Sequence, residues 1–521
     1  MLRRIALACA LAAGAAPAAA QTPAPARPTL LVFITIDQMR PDYFTRWPGQ
    51  LTGGLARLYD GGAVFTDAHQ DHAVTETAPG HASTMSGRFP RSTGIVSNEY
   101  GVFDRGTRLV GRDTIGASPF RFRGTVLADW MRAKDPRTRA LSVSRKDRGA
   151  ILPLGRSRQT VIWYGYDGNF TTSTWYARGV PAWVRRFNAR RLPRSYAGWR
   201  WTPLLADSAY HERDDVPVEA GGDNVFPHVA STVPAVLNTQ ITQFPVMDQM
   251  TLGLAMEGLK EMDLGRGPAT DILAISLSTT DAVGHRYGPD SREIHDQVVR
   301  LDRMLGAFLD SLYAVRDSSS IVIALTADHG VQPYPEVADP ANAAAMRVID
   351  APIHAWLRSA TASAGVDTAA AHFEDGMLRL DSAAFARARR DRRAFAREFV
   401  DVARAVPGVL RADLFPDVAG ADTATDPIAR RWSHMIPRDL PYFAVVTLRP
   451  GNYWGRGSYA QHGSPHDQDS HVPVIFYGAP FRPGRYATFA RTADIAPTLA
   501  RVLGATPSEP LDGHALTEAI R

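Results

Sequence analysis

The chain has 521 residues, of which 45% are hydrophobic and 21% are charged, and its formal net charge is +5. So small a charge on so long a chain excludes the electrostatic footprint of a nucleic-acid-binding protein, although the sequence pI is 9.3. The single cysteine, Cys9, lies within the first twenty residues. The rest of the chain therefore has no disulfide, no cysteine metal ligand and no cysteine nucleophile.

Residues 1–20 have the parts of a secretory signal peptide: a basic start, an apolar stretch and three alanines at the end. We expect cleavage before Gln21 and export to the periplasm or the exterior of a bacterium. A lipoprotein anchor at Cys9 is the alternative, but too little apolar sequence precedes that residue. Residues 21–28 form a Pro/Ala spacer, and no later stretch is long and apolar enough to span a bilayer.

The early chain shows regular α/β patterning. An apolar, β-branched-rich run predicts a strand at residues 30–36. A helix around 49–60, a loop rich in charge and histidine, and a helix from about Pro79 follow. A strand near 140–144 comes next. From about 155 to 235, aromatic residues are scattered without periodicity, which indicates an inserted cap rather than a further βα repeat. These rings either pack a small core or contact substrate.

The α/β pattern returns in the second half, with strands at 271–277 and 321–325 and an amphipathic helix between them. Residues from roughly 345 to 435 are rich in Ala and Arg, carry a helical run at 383–405, and indicate a second insertion. The scaffold is expected to resume with strands at 442–448 and 472–477 and to close with a helix from Asp494. We therefore predict one α/β catalytic domain at residues 29–521 with two insertions.

Acidic residues follow three of the predicted strands. Asp37, Asp281 and Asp328 lie at or just after strand ends, where ligand sites form in α/β sheets. His285 lies four residues after Asp281, and His329 directly follows Asp328, with a glycine behind it that lets another backbone approach closely. A lone Asp there usually forms a turn or a helix cap. Three such ends favour a metal site, with Zn²⁺ or a similar transition ion preferred over Ca²⁺.

Thr77 lies just before Pro79, a residue that suits the first turn of a helix. Thr77 is thus predicted just outside a helix N-terminus, where backbone N–H groups and the helix dipole favour an anion. Beside a metal that lowers its pKa, such a hydroxyl can act as a nucleophile without a Ser-His-Asp triad. The alternative is that Thr77 only caps the helix.

Short motifs around these residues follow one another along nearly the whole chain beyond the signal peptide. They are Ile36-Asp37-Gln38, Thr77-Ala78-Pro79-Gly80-His81, Ser97-Asn98-Glu99, Lys146-Asp147-Arg148, Asp281 to His285, Ala327-Asp328-His329-Gly330, His462-Gly463-Ser464-Pro465 and Asp494-Ile495-Ala496-Pro497-Thr498. In this order they resemble the alkaline phosphatase superfamily, and within it the PafA-like, phosphate-irrepressible enzymes with a threonine nucleophile. The resemblance implies a mixed, mainly parallel sheet with helices on both faces and inserted cap subdomains.

The resemblance also implies two zinc ions, one held by Asp281, His285 and His462 and the other by Asp37, Thr77, Asp328 and His329. We prefer His462 to its neighbours His466 and His471, because the family's ligand is followed directly by glycine, as His462 is here. A strand also begins about ten residues later, as the family's pattern requires. Paired metals about 4 Å apart can stabilise both the attacking and the leaving oxygen of an in-line displacement.

In this interpretation Thr77 attacks phosphorus and forms a phosphothreonine, which a hydroxide then hydrolyses. The remaining phosphate oxygens need donors, and Asn98, Lys146 and Arg148 are expected to bind them. Lys146 and Arg148 are expected to alternate along an extended segment and so face one side. Lysine occurs at only two other positions, Lys134 and Lys260, so its use here favours a specific role over a solvated surface charge.

Lys146 and Arg148 also bear on the substrate. A monoester dianion rewards extra positive charge, and the nucleotide pyrophosphatase/phosphodiesterases, which share the other site residues, lack this pair. We therefore expect hydrolysis of phosphate monoesters, with broad substrate range, by a monomer that binds inorganic phosphate as product. Phosphodiesterase activity is the alternative, and a non-catalytic phosphate or glycan binder is a second one. Thr77 and its neighbours lack a sulfatase's convertible Cys or Ser, which sets sulfatases aside.

Overall fold

Strand β1 (Leu30–Ile36) lies near the middle of the central sheet and has the predicted bounds. It pairs in parallel with β11 (Asp271–Leu277) on one side and with β12 (Ile321–Thr326) on the other. Every residue of the three strands is buried. A strand covered on both faces and paired on both edges requires a continuous apolar run, and LLVFITI supplies one.

The computed structural model describes residues 27–337, 345–421, 423–455 and 459–521. The expected signal peptide, Cys9 and the spacer up to residue 26 lie outside the described residues. None of the helices within the described ranges is both long enough and apolar enough to cross a bilayer.

Nine strands form the central sheet. Most of its pairings are parallel, and three, near its two edges, are antiparallel. The mixed, mainly parallel sheet implied by the resemblance is thereby confirmed. In spatial order the strands are β20 (Gly484–Tyr486), β2 (Ala63–Phe65), β19 (Val474–Tyr477), β12, β1, β11, β6 (Ala140–Ser144), β7 (Thr160–Gly165) and β8 (Asn169–Thr171).

Helices cover both faces of this sheet, as expected. Val32 and Ile34 of β1 pack into one core with α1 (Gly54–Gly61), α9 (Val246–Glu261) and α11 (Arg292–Tyr313). Leu31 and Phe33 pack into a second core with α2 (Thr77–Thr84), α4 (Leu127–Lys134), α5 (Asp147–Ile151) and α18 (Ile495–Leu503). The helices are α1 (Gly54–Gly61), α2 (Thr77–Thr84), α3 (Pro90–Thr93), α4 (Leu127–Lys134), α5 (Asp147–Ile151), α6 (Ala182–Ala189), α7 (Leu192–Ser195), α8 (Pro234–Gln240), α9 (Val246–Glu261), α10 (Thr279–Tyr287), α11 (Arg292–Tyr313), α12 (Ala351–Ser363), α13 (Ser382–Arg387), α14 (Arg392–Arg404), α15 (Phe415–Ala419), α16 (Pro427–Met435), α17 (Asp467–Ser470) and α18 (Ile495–Leu503).

A second sheet has its own hydrophobic core, packed against α12 and α14. The strand predicted at 442–448 has those bounds, but it lies inside this second sheet, so the expectation that it resumes the main scaffold is wrong. An apolar strand pattern reveals burial and does not reveal which strand is its partner. The second sheet has the order β14 (Ala371–Glu374), β15 (Met377–Leu380), β17 (Tyr442–Leu448) and β16 (Val409–Leu414).

Eight further strands form short two-stranded pairs at the periphery. They are β3 (Ala68–His69) with β21 (Ala490–Arg491), β4 (Phe103–Arg108) with β5 (Ile115–Ala117), β9 (Arg200–Trp201) with β10 (His228–Val229), and β13 (Arg347–Val348) with β18 (Tyr453–Trp454).

The interval from 155 to 235 begins inside the central sheet. β7 pairs in parallel with β6, and α5 connects them, so a further βα repeat does follow residue 144, contrary to expectation. The later part of the interval packs beside α9, where Trp183 and Trp201 are 7% and 1% exposed. The aromatic residues were expected either to pack a core or to contact substrate, and these two tryptophans pack in a core.

Asp302 on α11 stabilises the start of α1. Its buried carboxylate accepts hydrogen bonds from the backbone N–H groups of Thr52 (2.7 Å), Gly53 (2.6 Å) and Ala56 (3.1 Å). Asp302→Ala should lower the free energy of unfolding by about 1–3 kcal/mol, because three partly buried backbone donors lose their charged acceptor. Urea unfolding measures this loss.

The matched control is Asp310→Ala on the same helix. Asp310 pairs with Arg57 at 2.9 Å on the surface, so we expect a loss below about 1 kcal/mol. Equal losses in the two variants would contradict the capping role of Asp302.

Candidate active site

The carboxyl ends of β1, β11 and β12 meet at one edge of the sheet, because these adjacent strands are parallel. Asp37 directly follows β1, and Asp328 lies just after β12. Asp281 lies in the first turn of α10, which follows β11, and His285 lies one turn further along the same helix. His329 follows Asp328. Residues far apart in sequence are therefore brought to one edge.

One group of ligand atoms consists of Asp281, His285 and His462, and these atoms lie within 4.8 Å of one another. His285 Nε2 lies 3.2 Å from Asp281 Oδ1 and 3.2 Å from His462 Nε2. One carboxylate and two imidazoles converging in this way form a set that could hold one ion. His466 is not part of it, because its Nε2 donates to the Leu448 carbonyl at 2.8 Å.

A second group consists of Asp37, Asp281 and His329, also within 4.8 Å of one another. His329 Nε2 lies 3.4 Å from Asp37 Oδ1 and 3.7 Å from Asp328 Oδ2. The structure thus places Asp281 between the two groups. Asp328, expected as a ligand here, borders the second group, and its Oδ2 also lies 3.1 Å from His81 Nδ1.

The histidines present the nitrogen that a metal needs. The Nδ1 atoms of His285, His329 and His462 lie 2.6, 2.9 and 2.8 Å from backbone carbonyl oxygens. A carbonyl can only accept, so each Nδ1 carries a proton and each Nε2 is the atom that faces the ligand groups. Burial and the neighbouring imidazoles of His329 and His285 hold the pKa of His462 well below its usual range, which keeps that ring neutral.

Several buried polar atoms at this edge have no hydrogen-bond partner, although some of them have an ion-pair contact. Among the described residues, both carboxylate oxygens of Asp37, Asp328 Oδ2 and His329 Nε2 are buried without a hydrogen bond. Burial and the carboxylates of Asp281 and Asp328 raise the pKa of Asp37 to about 7. The Lys146 ammonium lies 2.5 Å from Asp37 Oδ2 and 2.7 Å from Asp281 Oδ2. Such a mixed nitrogen and carboxylate set fits Zn²⁺ or a similar transition ion.

Thr77 lies beside both groups. It is the first residue of α2, with Glu76 as the N-cap, so it lies inside the first turn and not just outside the helix as predicted. Lys146 Nζ donates to Thr77 Oγ1 at 3.2 Å. This hydrogen bond brings the expected nucleophile and one expected phosphate donor together.

Lys146 and Arg148 do not alternate along an extended segment, so that prediction is wrong. Lys146 is the N-cap of α5, and Arg148 lies within this helix. Asp147 in the first turn favours a helix start, which the charge pattern alone did not reveal. Arg148 still lies near the site. Its guanidinium is close enough to Glu76 to oppose the rise that burial causes in the pKa of that carboxyl group.

Asn98 is held in a defined orientation. Its Oδ1 accepts a hydrogen bond from the Ala78 backbone N–H at 3.0 Å, and its own backbone N–H donates to Glu76 Oε2 at 2.7 Å. With the amide oxygen engaged, the side-chain NH₂ group is oriented away from that bond and keeps its donors for a ligand.

Sequence reasoning assigned no role to Glu76, Gln38 or His81. Gln38 donates from its backbone N–H to Asp328 Oδ1 at 3.1 Å and from Nε2 to Asp281 Oδ1 at 3.3 Å. The glycine at position 284, between Asp281 and His285, is the sequence feature related to this contact. A β-carbon there would overlap the Gln38 side chain.

Comparison with known proteins supplies the context for this site. The type I phosphodiesterase / nucleotide pyrophosphatase family model matches residues 31–413. Alkaline phosphatase PhoK of Sphingomonas sp is 31% identical over 94% of this chain and 91% of its own. Alkaline phosphatase PhoV of Synechococcus elongatus is 29% identical over 95% and 94%. The crystal structure of wild-type alkaline phosphatase PafA superposes with a TM-score of 0.86 at 26% identity, covering 96% of this chain and 100% of that one.

The geometry predicts which histidine binds metal. His462→Ala should weaken binding at one ion site more than about a hundredfold, because it removes one of three converging ligands. Competition with a zinc chelator, together with metal content by mass spectrometry, measures this.

His466→Gln is the control, since glutamine can still donate to the Leu448 carbonyl. We expect it to retain the wild-type metal content. Loss of metal in His466→Gln with retention in His462→Ala would reverse the assignment.

Proposed function

The chain belongs to the type I phosphodiesterase / nucleotide pyrophosphatase family and, within the alkaline phosphatase superfamily, to the PafA-like alkaline phosphatases. On this premise we propose that it is a zinc-dependent phosphomonoesterase. The observation that carries the proposal is the Lys146–Thr77 hydrogen bond beside two groups of metal-ligand atoms. It supports the proposal, because it brings a hydroxyl group and an amino group together beside the side chains that could hold metal.

Two zinc ions would be held by the chain, one by Asp281, His285 and His462 and the other by Asp37, Thr77, Asp328 and His329. When bound, they supply positive charge at the attacking and leaving oxygens of an in-line displacement. Asp281 lies between the two groups, so its side chain aligns one set of ligands with the other.

Thr77 acts as the nucleophile in this proposal. Its Oγ1 loses a proton and bonds to phosphorus, while the bond from phosphorus to the ester oxygen breaks and the alcohol departs with a proton. Water then attacks the phosphothreonine, releases inorganic phosphate and restores the hydroxyl. The position of Thr77 in the first turn of α2 supports this role, because the helix N-terminus favours the anion that forms there.

Asn98, Lys146 and Arg148 bind the non-bridging oxygens of the phosphoryl group. Phosphoryl transfer depends mainly on positioning and charge stabilisation. The tethered Asn98 amide supplies oriented donors, Lys146 a point charge and Arg148 a planar fork. A monoester dianion gains more from two cations than a diester does, so this pair favours monoesters.

We also propose that the protein is exported. The basic, apolar and small-residue segments of residues 1–20 support a cleavable signal. The periplasm or the cell exterior would then be the place where phosphate esters are hydrolysed.

Phosphodiesterase activity is the second candidate, and the match of residues 31–413 to a phosphodiesterase family model favours it. The two candidates share the nucleophile and the ligand groups. They differ at Lys146 and Arg148, so these two residues decide between them.

The nucleophile is tested with Thr77→Ala, which should lower kcat/KM on 4-nitrophenyl phosphate more than about a thousandfold. Thr77→Ser is the matched control and should retain measurable turnover, because it keeps a hydroxyl at the same position. Metal content is measured in both variants. A near wild-type rate for Thr77→Ala would overturn the assignment.

The charge pair is tested by the double variant Lys146→Ala with Arg148→Ala. We expect kcat/KM for an aryl phosphate monoester to fall about a thousandfold and that for the matched diester about tenfold, because charged hydrogen bonds to the extra anionic oxygen are lost. Lys260→Ala, an exposed lysine on α9, should change neither value. Equal losses on both esters would contradict the monoester proposal.

A further inference from the structure

A cavity of about 130 Å³ adjoins the candidate active site on the side of His462. Its partly exposed residues include His462, Glu76, Asp375 and Trp454, and behind them lie buried residues such as Tyr453. The cavity therefore opens between the catalytic edge of the central sheet and the second sheet, which carries Asp375.

The position of this cavity relates it to the leaving group. Thr77 belongs to the second ligand set, so Asp281, His285 and His462 would hold the other ion, which would supply positive charge to the departing oxygen. His462 lines the cavity directly. The alcohol part of a substrate whose phosphorus lies beside Thr77 would therefore be next to the cavity.

The wall next to the nucleophile is acidic. Glu76 precedes Thr77, and both Glu76 and Asp375, whose side chains end in carboxyl groups, line the cavity. In the part of the chain that the structure describes, no lysine or arginine nitrogen lies within 4.0 Å of either group.

Asp375 reaches this wall through a tight turn between β14 and β15. Asp375 and Gly376 have φ of +51° and +74°, the left-handed pair that two-residue hairpins need. A β-carbon at Gly376 would lie 2.6 Å from the Val446 carbonyl, so the turn is packed against β17. The carboxyl group of Asp375 is therefore held in place by the second sheet.

Aromatic side chains complete the cavity. Trp454 and Tyr453 both line it, and Trp454 is the partly exposed one of the two. The guanidinium of Arg347 lies 5.3 Å from the Tyr453 ring centre, so Tyr453 already has a cation partner. Within the described ranges, no arginine or lysine cation lies over the ring of Trp454. The face of this ring can attract a ligand cation.

We propose that this cavity binds the alcohol part of the substrate and favours phosphate monoesters of amino alcohols. The ammonium group lies between the carboxyl groups of Asp375 and Glu76 and the ring of Trp454. This inference rests on the proposed phosphomonoesterase function and specifies its substrate class. Asp375 is then a specificity-determining residue supplied by the second sheet.

Two substrates of nearly the same shape test the proposal. Phosphocholine carries a quaternary ammonium, and 3,3-dimethylbutyl phosphate has carbon in place of that nitrogen. For the metal-loaded enzyme we expect kcat/KM to favour phosphocholine about five- to tenfold, the size of one ring contact plus one charge contact.

Asp375→Asn should lower this ratio about two- to threefold, the size of one charge contact. Asparagine tolerates the left-handed backbone of the turn, so the variant removes one carboxylate and keeps the hairpin. Glu374→Gln is the matched control, because it removes the neighbouring negative charge from a residue that does not line the cavity. It should retain the wild-type preference.

The outcomes separate the two proposals. Equal kcat/KM on the two substrates, with rapid turnover of both, would overturn the subsite and leave the phosphomonoesterase proposal in place. Turnover of neither substrate nor of 4-nitrophenyl phosphate would overturn both. An equal fall of the ratio in Glu374→Gln and Asp375→Asn would also overturn the subsite, because long-range charge would then explain the preference.

Discussion

The mutual repulsion of three buried carboxylates is the constraint on which the rest of the site depends. Asp37, Asp281 and Asp328 lie together at one edge of the sheet, fully or almost fully buried. Carboxylates so close to one another in a medium of low polarity are unfavourable unless cations compensate them. The contact of Lys146 with two of them shows this demand for positive charge. Metal binding and recognition of an anionic substrate both draw on it.

Close backbone approaches hold the carboxylates in this crowded arrangement. A β-carbon at Gly80 of α2 would overlap the backbone of Asp328, and one at Gly330 would overlap the backbone of Gln468. The approach expected for the glycine after His329 is thus confirmed. Glycine has no side chain, so α2 packs directly against the backbone after β12, and that backbone packs directly against α17. The ligand positions are set by rigid backbone contacts.

The sequence predicts the strands well and their partners poorly. The bounds of β1, β6 and β11 follow from continuous apolar runs, which only a strand buried on both faces requires. The same local pattern appears in β17, which belongs to the other sheet, because hydrophobicity records burial and not pairing. Asp37, Asp281 and Asp328 could be predicted as ligands from the sequence because they follow strand ends, whereas His462 was expected only from the family resemblance. Glu76, Gln38 and His81 were not predicted, since their roles arise from contacts between distant segments.

The two sheets of the molecule contribute different residues to the site. The ends of the central strands carry most of the candidate ligand residues, so any change in β1, β11 or β12 would move several of them together. The second sheet supplies only the turn at Asp375 and part of the cavity wall. The two parts also share a hydrophobic cluster, in which Val74 and Val96 pack against Met377 and Val445 of the second sheet. In the proposals above, substrate preference depends on the inserted sheet and the chemistry depends on the central one.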